Sequence, residues 1–149
     1  APHRPNTKRK PFVHPLRILV VDDDPHSRQL VTSLLADEPG VEIAGQASSG
    51  EEALAKAAQL EPDLVVMDVQ MPGMSGLQTL ERIKKQAKVP LVILMTLSDY
   101  PGYSDLSKLL GADGFISKRD LPTALPTTIK TLFPRPEPGP SSSEPPTRS

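Results

Sequence analysis

The chain has 149 residues, with 17 Lys or Arg against 18 Asp or Glu and a formal net charge of −1, a length that fits one domain around one core. It contains no Cys, which excludes disulfides, thiolate chemistry and cysteine-based zinc sites, and its three His (His3, His14, His26) are too scattered for a His-rich metal site. No apolar run approaches the ~18 residues of a membrane-spanning helix.

Charge and proline are unevenly spread. Residues 1–15 carry Arg4, Lys8, Arg9 and Lys10, no acid and four prolines, while 134–149 carry six prolines and four serines. Neither stretch has the apolar periodicity that offsets the entropy of ordering, so both are expected to be disordered flanks: a basic arm and a Pro/Ser-rich tail. The arm lacks the apolar segment of a secretory signal. The middle, 16–133, holds 16 acids and 11 bases. An acidic domain argues against direct binding of a phosphate backbone.

Within the middle, strands and helices alternate. Residues 17–21 (RILVV) form a short continuous apolar run, as in a strand buried on both faces. Asp24-Pro25 is a helix start, with Asp as cap and Pro in the first turn; Leu30, Val31, Leu34 and Leu35 form the expected inward stripe. Pro39-Gly40 ends that helix, and 41–47 reads as a second strand. Gly50 opens a helix with Ala53, Leu54, Ala57 and Leu60. A third strand covers 64–67, and Ser75 caps a helix with Leu77, Leu80 and Ile83. A fourth strand spans 89–95. A short helix carries Leu106, Leu109 and Leu110 and stops at Gly111. Residues 114–116 make a fifth strand, and Leu121, Leu125, Ile129 and Leu132 form a last helical stripe, kinked by Pro126. Five strands alternating with five helices predict an α/β fold: a doubly wound parallel sheet with helices on both faces.

In such a sheet, sites form at the carboxyl ends of the strands, near the switch in strand order. Those ends carry Asp22, Asp23 and Asp24, then Asp68, then Thr96, then Ser117 and Lys118. Asp24 is expected as a helix cap. The other carboxylates would repel one another by about 3 kcal/mol per pair at ~5 Å, unless a cation joins them. An all-oxygen cluster suits Mg²⁺, and such a site suits phosphoryl transfer, which needs positioning and charge neutralisation above all.

The strings LVVDDDP (19–25), DLVVMDVQMPGMSG (63–76), VILMT (92–96) and GADGFISK (111–118) resemble the receiver domain of two-component response regulators, whose fold is flavodoxin-like, and the resemblance covers 16–133. It implies that Asp68 accepts a phosphoryl group from a sensor histidine kinase or phosphotransfer protein. It further implies that Asp22, Asp23, Asp68 and the backbone carbonyl of Gln70 hold Mg²⁺, and that Thr96 and Lys118 contact the phosphoryl oxygens. Thr96 and Phe115 would form the switch. A cytoplasmic signalling protein is implied, acting through about 103–133 on a protein target or a second copy.

Three positions depart from the family pattern. Leu97 is bulky where a small residue is common and is expected to restrict access to the phosphate. Arg119 follows Lys118 where Pro is common, and Phe115 lacks a tyrosine hydroxyl. Other readings are weaker on the residues. An aspartate-nucleophile phosphatase would need an acid/base Asp at Gln70. A flavin module would need a phosphate-cradling loop where three Asp stand. A non-phosphorylated pseudo-receiver would not need all the key side chains. A receiver that forms part of a longer DNA-binding regulator stays open.

Overall fold

The computed structural model describes residues 14–98 and 102–134. Apart from His14, Pro15 and Pro134, the expected arm and tail lie outside the described residues.

Five strands, β1 (Leu16–Val21), β2 (Val41–Ala47), β3 (Leu64–Asp68), β4 (Leu91–Thr96) and β5 (Gly114–Ser117), pair in parallel in the order β2-β1-β3-β4-β5. Five α-helices connect or follow them: α1 (Pro25–Ala36), α2 (Gly50–Leu60), α3 (Gly76–Ile83), α4 (Tyr103–Leu109) and α5 (Leu121–Leu132). This is the expected doubly wound α/β fold.

The period of the strands divides the core in two. Ile18, Val20, Leu64, Val66, Ile93 and Met95 point to one face, where Val31 and Leu35 of α1 and Leu121, Leu125 and Ile129 of α5 cover them. Leu19, Val21, Val65, Met67, Val92 and Leu94 point to the other, under Ala53 and Ala57 of α2 and Leu80 and Ile83 of α3. A central strand with both faces covered reads as a continuous apolar run, as Leu64–Met67 of β3 do; the strand is buried throughout, including Asp68 at its end. The order of connection reverses beside β1: the chain steps from β1 outward to β2, then returns to β3 on the other side. The carboxyl ends of β1 and β3 therefore flank a crevice.

Some local expectations are corrected. Strand β4 starts at Leu91, because Val89 is half-exposed and precedes Pro90. On α1, Leu30 is 46% exposed and drops out of the inward stripe. Of the three leucines at α4, Leu106 is 41% and Leu109 is 83% exposed, whereas Leu110 packs partly buried against the core, and Ser107 is buried. Ser107 is accommodated there because its hydroxyl donates to the Tyr103 carbonyl at 2.6 Å. Gly111, with φ of +105°, follows that helix as expected. Helix α5 continues through Pro126, where the N–H that would reach the Pro122 carbonyl is missing.

Candidate functional site

Local sequence explains how each acid reaches the rim. The apolar run of β1 ends at Val21, and Asp24 then caps α1, its carboxylate accepting from the His26 N–H at 3.2 Å and the Ser27 hydroxyl at 3.1 Å. The His26 N–H, with help from Ser27, holds the Asp24 carboxyl below its ordinary pKa. Asp24 is thus occupied as a cap, as expected. Asp22 and Asp23 are left in the short link between strand and helix.

Asp68 is the last residue of β3 and is 6% exposed. The loop after it folds back tightly, with the Gly76 N–H donating to the Val69 carbonyl at 2.7 Å. A Cβ on Gly76 would stand 2.1 Å from the Asp68 carbonyl oxygen, so only glycine lets α3 begin this close. Lys118 opens a short 3₁₀ turn, Lys118–Asp120, directly after β5.

These side chains converge. Asp22, Asp23 and Asp68 each present a carboxylate oxygen, all within 4.8 Å of one another. The Lys118 ammonium lies 2.8 Å from Asp22 Oδ2, 3.4 Å from Asp68 Oδ2 and 3.4 Å from the Ser27 hydroxyl. Asp22 is fully buried, and its other oxygen accepts from the Asp24 N–H at 2.9 Å. Asp23 is exposed. The Gln70 N–H donates to Asp68 Oδ1 at 3.3 Å, which places the loop carrying the Gln70 carbonyl against the same carboxylate.

Charge explains the titration of the site. Burial raises the Asp68 carboxyl to a pKa of about 6; Lys118 opposes that rise and the Asp22 charge reinforces it. Burial disfavours the Lys118 ammonium, but its bond to Asp22 and the charge of Asp68 outweigh this and raise its pKa. One ammonium facing three carboxylates leaves the cluster negative. A hard divalent cation with oxygen ligands fits both the donor set and the missing charge.

Thr96 ends β4 and is 1% exposed, one position beyond the Asp68–Met95 pairing. Its hydroxyl accepts from the Ser98 N–H at 2.9 Å and makes no bond to the carboxylates. Leu97 beside it is 56% exposed. Phe115 is half-buried against the core face that α2 and α3 cover. The structure therefore gathers Asp22, Asp23, Asp68 and Lys118 directly, and holds Thr96 nearby with its hydroxyl engaged elsewhere.

Two contributors escaped the sequence reading. Ser27 approaches Lys118, and Arg28 donates through Nη1 to the Asp22 carbonyl at 2.7 Å. Both lie in the first turn after the Asp24 cap, the turn that faces back toward the strand ends, and that placement was the available signal. A groove of about 220 Å³ lined by Glu61, Asp63, Lys88, Val89 and Phe133 lies at the opposite, amino-terminal ends of the strands, remote from this cluster.

Comparison with known proteins places this arrangement. A family model described as the response regulator receiver domain matches residues 18–130. The chain is 38% identical over 133 residues to a protein-glutamate methylesterase/protein-glutamine glutaminase of Nocardioides sp., covering 80% of this chain and 36% of that relative. It is 39% identical over 103 residues to the response regulator GacA of Pseudomonas viridiflava, covering 69% of this chain and 48% of that one. The chain thus spans between a third and a half of the length of these relatives. Among solved structures, the response regulator domain of Thermotoga maritima CheB superposes with a TM-score of 0.74 at 27% identity, covering 83% of this chain and all of that one. A LuxR-family DNA-binding response regulator from Staphylococcus aureus gives 0.74 at 26%, covering 79% of this chain and 98% of that chain.

Proposed function

The chain belongs to the response regulator receiver domain family, and on that premise we propose that residues 16–133 act as a phosphorylation switch with Asp68 as the acceptor. The observation that carries this reading is the placement of Asp68: a buried carboxylate at the end of a central strand, 3.4 Å from the Lys118 ammonium and within 4.8 Å of two further carboxylates.

The chemistry follows from those groups. An Asp68 carboxylate oxygen forms a bond to the phosphorus of a phosphohistidine on a sensor kinase or phosphotransfer protein. The P–N bond breaks and the imidazole leaves with its electron pair, taking up a proton from solvent. The product is an acyl phosphate on the chain, a form of covalent carboxylate catalysis. Although burial raises the Asp68 pKa to about 6, the carboxylate is mostly ionised at pH 7 and so available as the nucleophile. Magnesium, held by the carboxylates of Asp22, Asp23 and Asp68 and the carbonyl of Gln70, would supply neutralisation of the charge on the transferring group. Lys118 adds a fixed cation on the β5 side of Asp68. After transfer, the new phosphoryl oxygens accept from the Thr96 hydroxyl, whose own proton is not engaged by the bond it accepts from the Ser98 N–H, and this draws Thr96 toward them. The space it vacates lets Phe115 turn inward, coupling a local charge change to packing.

The output surface in this reading is 103–133. Leu106 and Leu109 on α4 expose apolar area beside β5, which suits contact with a target protein or a second copy. Turnover of an external substrate is not part of the reading, because Gln70 offers no acid/base group two positions after Asp68. Among the described residues, no helix is long and apolar enough to cross a membrane, and a cytoplasmic setting suits a kinase partner. A second reading, that this receiver forms part of a longer regulator, is favoured by the 36% and 48% shares of its relatives that it covers.

Incubation with phosphoramidate, a small donor with a P–N bond, tests the reaction. Magnesium-dependent incorporation that hydroxylamine removes is expected of an acyl phosphate. Incorporation that resists hydroxylamine, or that proceeds equally in EDTA, would contradict it.

A further inference from the structure

Arg28 is half-buried in the first turn of α1, and its two recorded bonds go to different parts of the site's frame. Nη1 donates to the main-chain carbonyl of Asp22 at 2.7 Å, and Nε donates to Oε1 of Gln46 on β2 at 3.2 Å. The N–H of Asp22 is also held, donating to the Ala47 carbonyl at 3.0 Å. The Asp22 carboxylate is fixed as well, by the Asp24 N–H at 2.9 Å and Lys118 at 2.8 Å. Asp22 is therefore constrained at every polar group.

Asp23 is in the opposite position. Its carboxylate belongs to the cluster with Asp22 and Asp68, yet it makes no hydrogen bond or ion pair among the described residues. Its aim comes from the backbone alone. The Asp22 carbonyl lies in the planar peptide that ends at the Asp23 Cα, so fixing that carbonyl fixes the N–Cα axis about which Asp23 turns, and the Asp24 N–H held by Asp22 at 2.9 Å limits that turn from the other side. The guanidinium suits this task, because its planar donors bind the carbonyl and Gln46 together and its charge is permanent.

We propose that Arg28 is a positioning residue for the divalent-cation site, holding the Asp22–Asp23 peptide so that Asp23 faces Asp22 and Asp68. This rests on reading those three carboxylates as a magnesium site. Two rival roles predict different results. If Arg28 acted only as a nearby positive charge, removing it would tighten binding of a cation. If it served only stability, the folded protein would bind magnesium as before.

Calorimetric titration of Mg²⁺ into the full chain without phosphodonor separates these. Arg28→Met keeps the aliphatic stem and removes the donors; it is expected to weaken Mg²⁺ binding about 10-fold, as loss of a partner that orients a ligand does. Arg28→Lys, which keeps one donor, should recover part of the loss. Should Arg28→Met not fold, Gln46→Ala, at an exposed position, removes the side chain that steers Nε and should weaken binding in the same direction by a smaller factor. Unchanged or tighter binding in the folded variants, with Asp23→Ala impaired, would overturn the role of Arg28 and leave the cation site standing. Binding at wild-type strength in Asp23→Ala would overturn the site itself.

Discussion

The Lys118 ammonium donates to the Asp22 carboxylate at 2.8 Å across 96 residues of chain, with 8% and 0% of the two side chains exposed. It ties the end of β5 to the end of β1, with Asp68 of β3 3.4 Å away. Removing one partner of a buried pair leaves the other charge uncompensated. Lys118→Met should therefore lower stability by about 3 kcal/mol at pH 7 in EDTA. The more open Lys84–Asp113 pair, 21% and 27% exposed, should lose about 1 kcal/mol in Lys84→Met. Urea unfolding measures both. Mg²⁺ should recover part of the Lys118→Met loss, and a loss no greater than that of Lys84→Met would contradict the account.

Asp68 titrates against stability. Its pKa is raised from 3.8 to about 6, first by burial. The neutral form is thus favoured in the folded state: its stabilising effect is complete below pH ~4 and is lost as pH rises through 6. In EDTA, Asp68→Asn should be more stable than wild type at pH 7 by on the order of 2 kcal/mol. The difference should close toward pH 4. Denaturation midpoints across that range check it, and a gap independent of pH would show that burial of this charge is not its source.

Glu52 has the reverse sign. Its pKa is lowered to about 2, first by the Ser48 N–H and then by Lys56. The carboxylate accepts from that N–H at 2.8 Å and pairs with Lys56 at 2.9 Å. Its contribution is present above pH 4.5 and is lost as pH falls toward 2. Because its side chain is 39% exposed, Glu52→Gln should cost only ~0.5–1 kcal/mol at pH 7, with the deficit fading below pH 4.5. A deficit that persists at pH 2.5 in thermal melts would rule out the charge as its cause.

Leu97, 56% exposed beside Thr96, should shield the acyl phosphate from water. Leu97→Ala is expected to shorten the lifetime of the phosphorylated form, followed by the decay of label after donor removal. An unchanged lifetime would remove Leu97 from any gating role.

The fold was largely legible because its central strands, β3 and β4, are short apolar runs between helices. A strand such as β3, covered on both faces, can be little else. Asp24-Pro25 and Ser75 announced helix starts by side-chain chemistry, and both serve as caps in the structure. The misreadings came where pattern alone is ambiguous. Helix α4 has seven residues, too few turns for periodicity to choose a face, and its buried position is Ser107 rather than Leu106 or Leu109. The site was legible to the extent that charge accumulates at strand ends: Asp22, Asp23, Asp68 and Lys118 meet as expected. Arg28 serves a main-chain carbonyl, which leaves no mark in the pattern of side chains; only its place in the first turn after the Asp24 cap points toward the site.

The central claim is that these groups make Asp68 the phosphoryl acceptor. The most direct measurement is to phosphorylate the chain with acetyl phosphate and Mg²⁺, trap the product with borohydride, and locate the modification by peptide mass spectrometry. The account predicts a single modified residue, Asp68, and no modification in Asp68→Asn or in EDTA. Modification at another residue, or undiminished labelling of Asp68→Asn, would contradict it.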